Sequence, residues 1–171
     1  MLYTCFKYIT KNQLIMKSLL MSLFVLITVS CSSDNSTATT FEPQNITPAL
    51  VGKGVLANTQ SFTHENRVIT TDAQWQEVLM QMRESREDIT DIFAETAIDF
   101  SQYQIIASYI IGSSGTTIDV TAVIENEDNI TVTLENLRKG VTQDVTHPFH
   151  IIKIPRSTKP IIFEDLTDWD N

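Results

Sequence analysis

The fold of this chain is set by residues 118–137, which read IDVTAVIENEDNITVTLENL. Apolar residues alternate with polar ones on both sides of the polar segment Asn126-Glu127-Asp128-Asn129. A period of two is typical of strands that bury one face, and a short polar segment between two such strands is typical of a hairpin. The sequence therefore predicts an antiparallel hairpin formed by Ile118–Glu125 and Ile130–Leu137.

Further strands are predicted on both sides of this hairpin. Gln104–Ile111 is apolar on both faces, so we expect a central strand that is covered on both sides. Shorter apolar runs predict strands at Leu50–Ala57, Arg67–Thr70, Phe149–Ile154 and Ile161–Phe163. We expect the first two of these to form a pair, because only a polar stretch joins them.

One helix is predicted between these strands. Thr71 is a suitable N-cap, and Gln74 three residues later completes a capping box. The apolar residues that follow have helical spacing, at Trp75, Val78, Leu79 and Met82. A helix inserted among antiparallel strands predicts an α+β fold, here a sheet of about five or six strands with one main amphipathic helix packed on it.

The N-terminal segment has the pattern of a signal peptide. Met16-Lys17-Ser18 precedes the apolar run Leu19–Val29, and Ser30 and Cys31 follow at once. At about 1.5 Å per residue, this run spans roughly 16 Å as a helix, about half of what a membrane span requires. We therefore expect residues 1–30 to be a cleaved signal peptide, with Met16 as the true start.

The end of this segment, Thr28-Val29-Ser30-Cys31, resembles the lipobox of bacterial lipoproteins. In that motif the cysteine sulfur receives a diacylglycerol before the signal is removed, so the resemblance implies lipidation of Cys31, palmitate included, and anchoring in the cell envelope at the outer membrane. A plain secretory signal cleaved near a chance cysteine is the alternative. Cys5, the other cysteine, lies in the removed part, so the mature chain has no internal disulfide.

The residues after Cys31 predict a tether and one domain. Residues 31–48 are polar, lack a hydrophobic period and contain Pro43 and Pro48, which indicates a flexible tether of up to about 50 Å. Residues 49–171 read as a single domain. All 21 acidic residues follow Cys31, against nine of the 12 basic ones, so the mature chain has a net charge of −12. This charge argues against binding to nucleic acid.

Between about residues 69 and 163 the chain resembles the PrcB family, which is named for a subunit of a bacterial surface protease complex. The matching residues are Trp75, Ile98-Asp99-Phe100-Ser101, Gly112, Gly115-Thr116-Thr117-Ile118 and the run from Thr146 to Pro155. The family usually has Gly-Gly-Tyr where this chain has Gly115-Thr116-Thr117, so contacts of that aromatic ring are missing here. The resemblance implies a non-catalytic accessory partner of another exported protein, such as one that stabilises a protease.

No set of side chains points to catalysis or metal binding. His147 and His150 are three residues apart on a predicted strand, so their side chains should point to opposite faces. We therefore expect no metal, and for His150 a hydrogen-bonded role beside the core. Gly112-Ser113-Ser114-Gly115 lacks the spacing of a nucleophile elbow or of a phosphate-binding loop, and predicts a tight turn.

The leading hypothesis is an interaction module without enzymatic activity or cofactor. Its expected contact with a protein partner is the loop Gly112, Ser113, Ser114, Gly115, Thr116 and Thr117, together with an exposed hairpin edge to which a partner could add a strand. The alternative is a lipoprotein that binds a small ligand or glycan in a pocket lined by Trp75, Tyr103 or Tyr109. An enzyme is the least supported reading.

Overall fold

A computed structural model of the chain describes residues 40–56 and 62–166. The predicted signal peptide, Cys31 and the first part of the predicted tether lie outside the described residues. Within them, the elements in chain order are strands β1 (Gln44–Asn45), β2 (Ala49–Leu56) and β3 (Glu65–Ile69), helix α1 (Asp72–Ser85), a 3₁₀ helix (Ile89–Ile92), and strands β4 (Tyr103–Tyr109), β5 (Asp119–Glu125), β6 (Ile130–Glu135), β7 (His147–Pro155) and β8 (Ile161–Asp165).

The eight strands form two sheets of four, where the sequence predicted a single sheet of five or six strands. Sheet I has the order β2-β7-β4-β3 and is antiparallel throughout. Sheet II has the order β1-β5-β6-β8, with the predicted β5–β6 hairpin at its centre and a parallel pair between β6 and β8. The α+β class is confirmed, while the prediction of one sheet is wrong.

The second sheet exists because the central strands of sheet I are apolar on both faces. In β4, Ile105, Ala107 and Tyr109 belong to the core that contains the buried side of α1. Ile106 of β4, and Ile110 directly after the strand, instead belong to the core formed with residues of β5 and β6. The helix covers one face of sheet I and sheet II covers the other, so the prediction of a strand covered on both sides is confirmed.

Helix α1 begins as the sequence predicts. The side chain of Thr71 accepts a hydrogen bond from the backbone N–H of Gln74 at 3.3 Å. The Gln74 side chain accepts from the N–H of Thr70 at 3.0 Å, one residue before the group that a standard capping box uses. The predicted stripe is buried, at Trp75, Val78, Leu79 and Met82. Over the described ranges, no helix has the length and apolar character to cross a membrane.

The sequence predicted that Leu50–Ala57 and Arg67–Thr70 pair with each other, but the corresponding strands β2 and β3 do not. They lie at opposite edges of sheet I, where β2 pairs with β7 and β3 pairs with β4. Strands that are apolar on both faces take the centre of a covered sheet. β2 and β3 contain charged residues, such as Lys53 and Arg67, which an edge position leaves close to water.

The last part of the predicted tether, residues 31–48, is ordered against the domain. Gln44–Asn45 pairs antiparallel with the end of β5, and the N–H of Ile46 donates to the carbonyl of Val123 at 2.9 Å. The Ile46 side chain packs against the core between the sheets. Pairing satisfies backbone groups of β5 that would otherwise lie at a sheet edge, so at this end the prediction of a flexible tether is wrong.

Candidate functional site

Two loops lie side by side and hold each other, and we call residues 111–117 and 136–146 the paired loops. Gly112 and Thr146 form an isolated antiparallel bridge, with N···O distances of 3.0 and 2.7 Å. The N–H of Thr117 donates to the carbonyl of Arg138 at 2.9 Å. Both ends of the first loop are therefore bonded to the second.

The middle of the paired loops is also closely packed. The hydroxyl of Thr116 accepts a hydrogen bond from the N–H of Gly140 at 2.9 Å, and the N–H of Ser114 donates to the carboxylate of Asp144 at 3.2 Å. A Cβ added to Gly140 would lie 2.2 Å from the hydroxyl oxygen and 2.5 Å from the carbonyl oxygen of Ser113. Glycine is needed at position 140 because the two backbones approach so closely.

The structure gives the six predicted contact residues different environments. Ser114 and Gly115 are exposed, and Gly115 has a φ of +93°, so this glycine adopts a left-handed conformation that the turn requires. Gly112, Ser113 and Thr117 are half-buried. Thr116 is buried, and its hydroxyl is bonded to the N–H of Gly140 in the second loop.

The prediction of an exposed hairpin edge is wrong. In sheet II both hairpin strands are internal, because β1 pairs with β5 and β8 pairs with β6. Near the start of β5, where β1 does not reach, the N–H of Val120 donates to Nδ1 of His150 in sheet I at 3.0 Å. A bulge between Val120 and Ala122 interrupts the regular ladder at the same place.

The paired loops instead expose apolar side chains that the sequence analysis did not select. We call them the loop surface, and they are Ile111, Leu137, Val141 and Val145. Val141 is 95% exposed and Leu137 is 68% exposed, although both are aliphatic. Three of the four come from the second loop. In the sequence, the only signal for them was the presence of isolated apolar residues in a polar segment that lacks a hydrophobic period.

Charge adds a second property to this surface. Arg138 and Lys139 are the only adjacent pair of basic residues in the chain, and they lie between Leu137 and Val141 in the second loop. The chain as a whole is strongly acidic. Two basic residues therefore lie beside the exposed aliphatic side chains of the second loop, which also contains Asp144.

Behind the paired loops, one row of polar side chains crosses sheet I on the face toward sheet II. Cross-strand partners define this polar row, which consists of Lys53, His150, Ser108 and Asn66. The neighbouring positions on this face of the central strands are apolar, such as Ile106 and Ile152. The polar row is thus set within an otherwise hydrophobic interface between the sheets.

Lys53 and Asp119 form an ion pair between the sheets at one end of the polar row. Asp119 is buried and also accepts a hydrogen bond from the hydroxyl of Thr117 at 2.8 Å. Burial alone would raise the pKa of Asp119, but the hydrogen bonds from Lys53 and Thr117 oppose this effect and lower the pKa below its ordinary value.

His150 forms the second link between the sheets, through its bond to Val120. Burial lowers the pKa of His150, and the positive charge of Lys53 lowers it further, while Asp119 and the carbonyl of Ile118 act in the opposite direction. The net pKa of His150 lies below the ordinary value for histidine. The expectation of a hydrogen-bonded histidine beside the core is confirmed.

The other two histidines have separate surroundings. His147 is buried, and its neighbours Phe149 and Ile151 face the core that contains α1, whereas His150 faces sheet II. His64 lies 3.4 Å from a carboxylate oxygen of Asp165. Among residues 40–56 and 62–166, no three His, Cys, Asp or Glu side chains are grouped to hold a metal ion.

The alternative hypothesis placed Trp75, Tyr103 and Tyr109 in one ligand pocket, but the structure gives them separate surroundings. Trp75 and Tyr109 have no exposed surface, and the indole N–H of Trp75 donates to the carbonyl of Thr96 at 2.8 Å. The ammonium of Lys153 lies 4.6 Å from the ring centre of Tyr103. A groove of about 560 Å³ beside α1 is lined by none of the three aromatic residues.

Comparison with known proteins gives no match to a family model, to a curated protein or to a solved structure.

Proposed function

We propose that this chain is a lipid-anchored accessory module of a bacterial cell envelope, which binds another exported protein through the loop surface. The observation that carries the proposal is the exposure of Ile111, Leu137, Val141 and Val145 on loops that are bonded to each other. Isolated exposed aliphatic residues are common on proteins, but several together on one pair of loops favour a contact site.

The paired loops are suited to binding because their backbones are already held in place. Ordering of a flexible loop on binding costs free energy, and that cost is small where the loop is fixed beforehand. Here Gly112 is bonded to Thr146, Thr117 to Arg138 and Thr116 to Gly140. The apolar side chains are thus presented on a preorganised support.

The charge of the loop surface indicates what kind of segment it binds. Arg138 and Lys139 stand between exposed aliphatic residues in a chain whose mature net charge is −12. Opposite charges around an apolar contact steer association and select the partner. We infer that the partner presents an apolar segment with acidic residues beside it.

The place of action follows from the N-terminal sequence. The signal peptide and Cys31 support an exported protein held at the membrane by lipid, so the partner is another envelope protein. The resemblance to the PrcB family supports an accessory role, with a protease complex as one candidate partner. The buried positions of Trp75 and Tyr109 weigh against the alternative of a small-ligand or glycan pocket.

Photo-crosslinking in the native envelope tests this proposal. A photoreactive amino acid at position 141 is expected to capture a specific envelope protein. Met80, an exposed apolar residue on α1, provides the matched control position. Capture from position 141 but not from position 80 supports the proposal, whereas no specific capture from 141, or equal capture from both positions, would overturn it.

A charge-reversing variant tests the inferred chemistry of the partner. Arg138→Glu with Lys139→Glu should weaken the crosslink from position 141 and reduce its salt dependence, because the complementary charge is lost. An unchanged yield would reject an acidic contact segment.

A further inference from the structure

A hydrogen bond joins a histidine side chain in sheet I to the backbone of a strand in sheet II. His150 in β7 accepts it at Nδ1 from the N–H of Val120 in β5, at 3.0 Å. Val120 lies at the bulge of β5, where the regular ladder is interrupted. Backbone N–H groups within a fold need an acceptor, and the imidazole supplies it here.

This contact requires neutral histidine. A neutral imidazole has one nitrogen that accepts a hydrogen bond, whereas both nitrogens donate once the ring is protonated. Protonation at Nδ1 would therefore place two N–H groups opposite each other at the His150–Val120 contact. The hydrogen bond would be lost, and a positive charge would enter the interface between the sheets.

The charged groups around His150 come from two strands. Lys53 of β2 is its direct cross-strand neighbour in sheet I, and Asp119 of β5 faces it from sheet II. Asp119 favours the protonated ring, but that carboxylate is already engaged by Lys53 and Thr117. On the third side, β4 places Ser108 beside His150, which contributes no charge.

The position of the contact connects it to the paired loops. The first loop ends at Thr117, three residues before Val120, and the second loop ends at Thr146, four residues before His150. The His150–Val120 bond therefore holds together the two strands into which the loops run.

We propose that His150 is an acid-sensitive latch, whose neutral imidazole holds the start of β5 against sheet I. Protonation releases this end of β5 together with the residues at which the paired loops join β5 and β7. The latch belongs to the fold itself and does not depend on binding of a protein at the loop surface.

The direction of the pH effect follows from linkage. The pKa of His150 in the folded chain lies below that of an unfolded histidine, about 6.5. The unfolded state therefore binds the proton more readily. The stabilisation by His150 is complete above about pH 6.5 and is lost as the pH falls from there through the folded pKa.

Hydrogen exchange of the full-length lipoprotein in detergent micelles tests the latch without any substitution. Amide exchange, corrected for intrinsic pH dependence, should show Val120 protected at about pH 8 and roughly tenfold less protected at about pH 5, a change equal to one hydrogen bond. Exchange at the imidazole carbon between the nitrogens should give His150 a pKa below the ordinary value. Equal protection of Val120 at both pH values, or a pKa of His150 at or above the ordinary value, would overturn the proposal.

Two variants assign the effect to this residue. His150→Asn keeps an oxygen acceptor close to the Nδ1 position and cannot gain a proton, so Val120 should stay protected at about pH 5. His64→Gln removes a different histidine and should behave like the unaltered chain. Acid release of Val120 in His150→Asn to the same extent as in the unaltered chain would contradict the latch.

Discussion

Lys53 and Asp119 are 66 positions apart in the chain and form an ion pair that joins sheet I to sheet II. Lys53 is part of β2, and Asp119 is the first residue of β5, two residues after the end of the first of the paired loops. The same end of the molecule thus carries the links between the sheets and the surface proposed to bind a partner.

Removal of Lys53 should destabilise the fold more than removal of an exposed ion pair. In Lys53→Met the carboxylate of Asp119 stays buried without its cation, so we expect the free energy of unfolding to fall by about 2 kcal/mol. Arg86→Met breaks an exposed pair with Asp88 and should leave the free energy of unfolding nearly unchanged. Urea denaturation measures both, and equal effects would show that the Lys53–Asp119 pair does not hold the sheets.

The lowered pKa of Asp119 predicts that the fold loses stability in strong acid. The pKa of Asp119 is lower in the folded chain than in the unfolded one. Its contribution is therefore complete above the unfolded pKa of about 3.9 and is lost as the pH falls through the folded value. Asp119→Asn should flatten the pH dependence of urea stability below about pH 4. A variant curve as steep as that of the unaltered chain would assign the acid effect to other carboxylates.

Gly140→Ala should separate the paired loops. The new methyl group would lie 2.2 Å from the hydroxyl oxygen of Ser113, so the backbones must move apart, at a cost of about 1–3 kcal/mol. Gly115→Ala is the matched control, since its Cβ would meet only the Cα of Gly140 at 3.7 Å and the cost is confined to the positive φ. Amide exchange over residues 111–117 should rise much more in Gly140→Ala, and similar rises in both variants would contradict the close approach at position 140.

Neighbouring residues of β7 should both prove to be core residues. Ile151 packs toward α1 and Ile152 toward sheet II, so each change to alanine should lower the free energy of unfolding by about 2–5 kcal/mol. Ile162, which is half exposed in β8, serves as the control with a small effect. Chemical denaturation distinguishes this architecture from a single sheet with one solvent-exposed face. In such a sheet, changing one of the two isoleucines to alanine would hardly alter the free energy of unfolding.

Cys31→Ser should release the protein from membranes. Without the sulfur there is no attachment point for the lipid, and the remaining chain is polar near its N-terminus. Fractionation of cells that express the variant measures this, with the unaltered chain as the control that stays membrane-bound. Membrane retention of Cys31→Ser would reject the lipid anchor.

Part of the site was predictable from local sequence. The glycines of the first loop indicated a turn, and Gly115 does adopt a left-handed conformation. The second loop could not be recognised, because Leu137 was assigned to the end of the predicted strand Ile130–Leu137 and Val141 belongs to no period. Both residues gain their meaning only from the contact of residues 136–146 with the first loop. The burial of Thr116 could not be predicted for the same reason, since its hydroxyl is bonded to Gly140, 24 positions later.

The sequence by itself determined the features that depend on neighbours in the chain. Helix α1, its cap at Thr71 and the β5–β6 hairpin follow from period and capping, which act over a few residues. Only the tertiary structure decided that the strands divide into two sheets, that β2 and β3 take opposite edges, and that His150 meets Val120. These outcomes depend on which apolar faces cover each other and on which buried polar groups find partners, and residues far apart in the chain settle both.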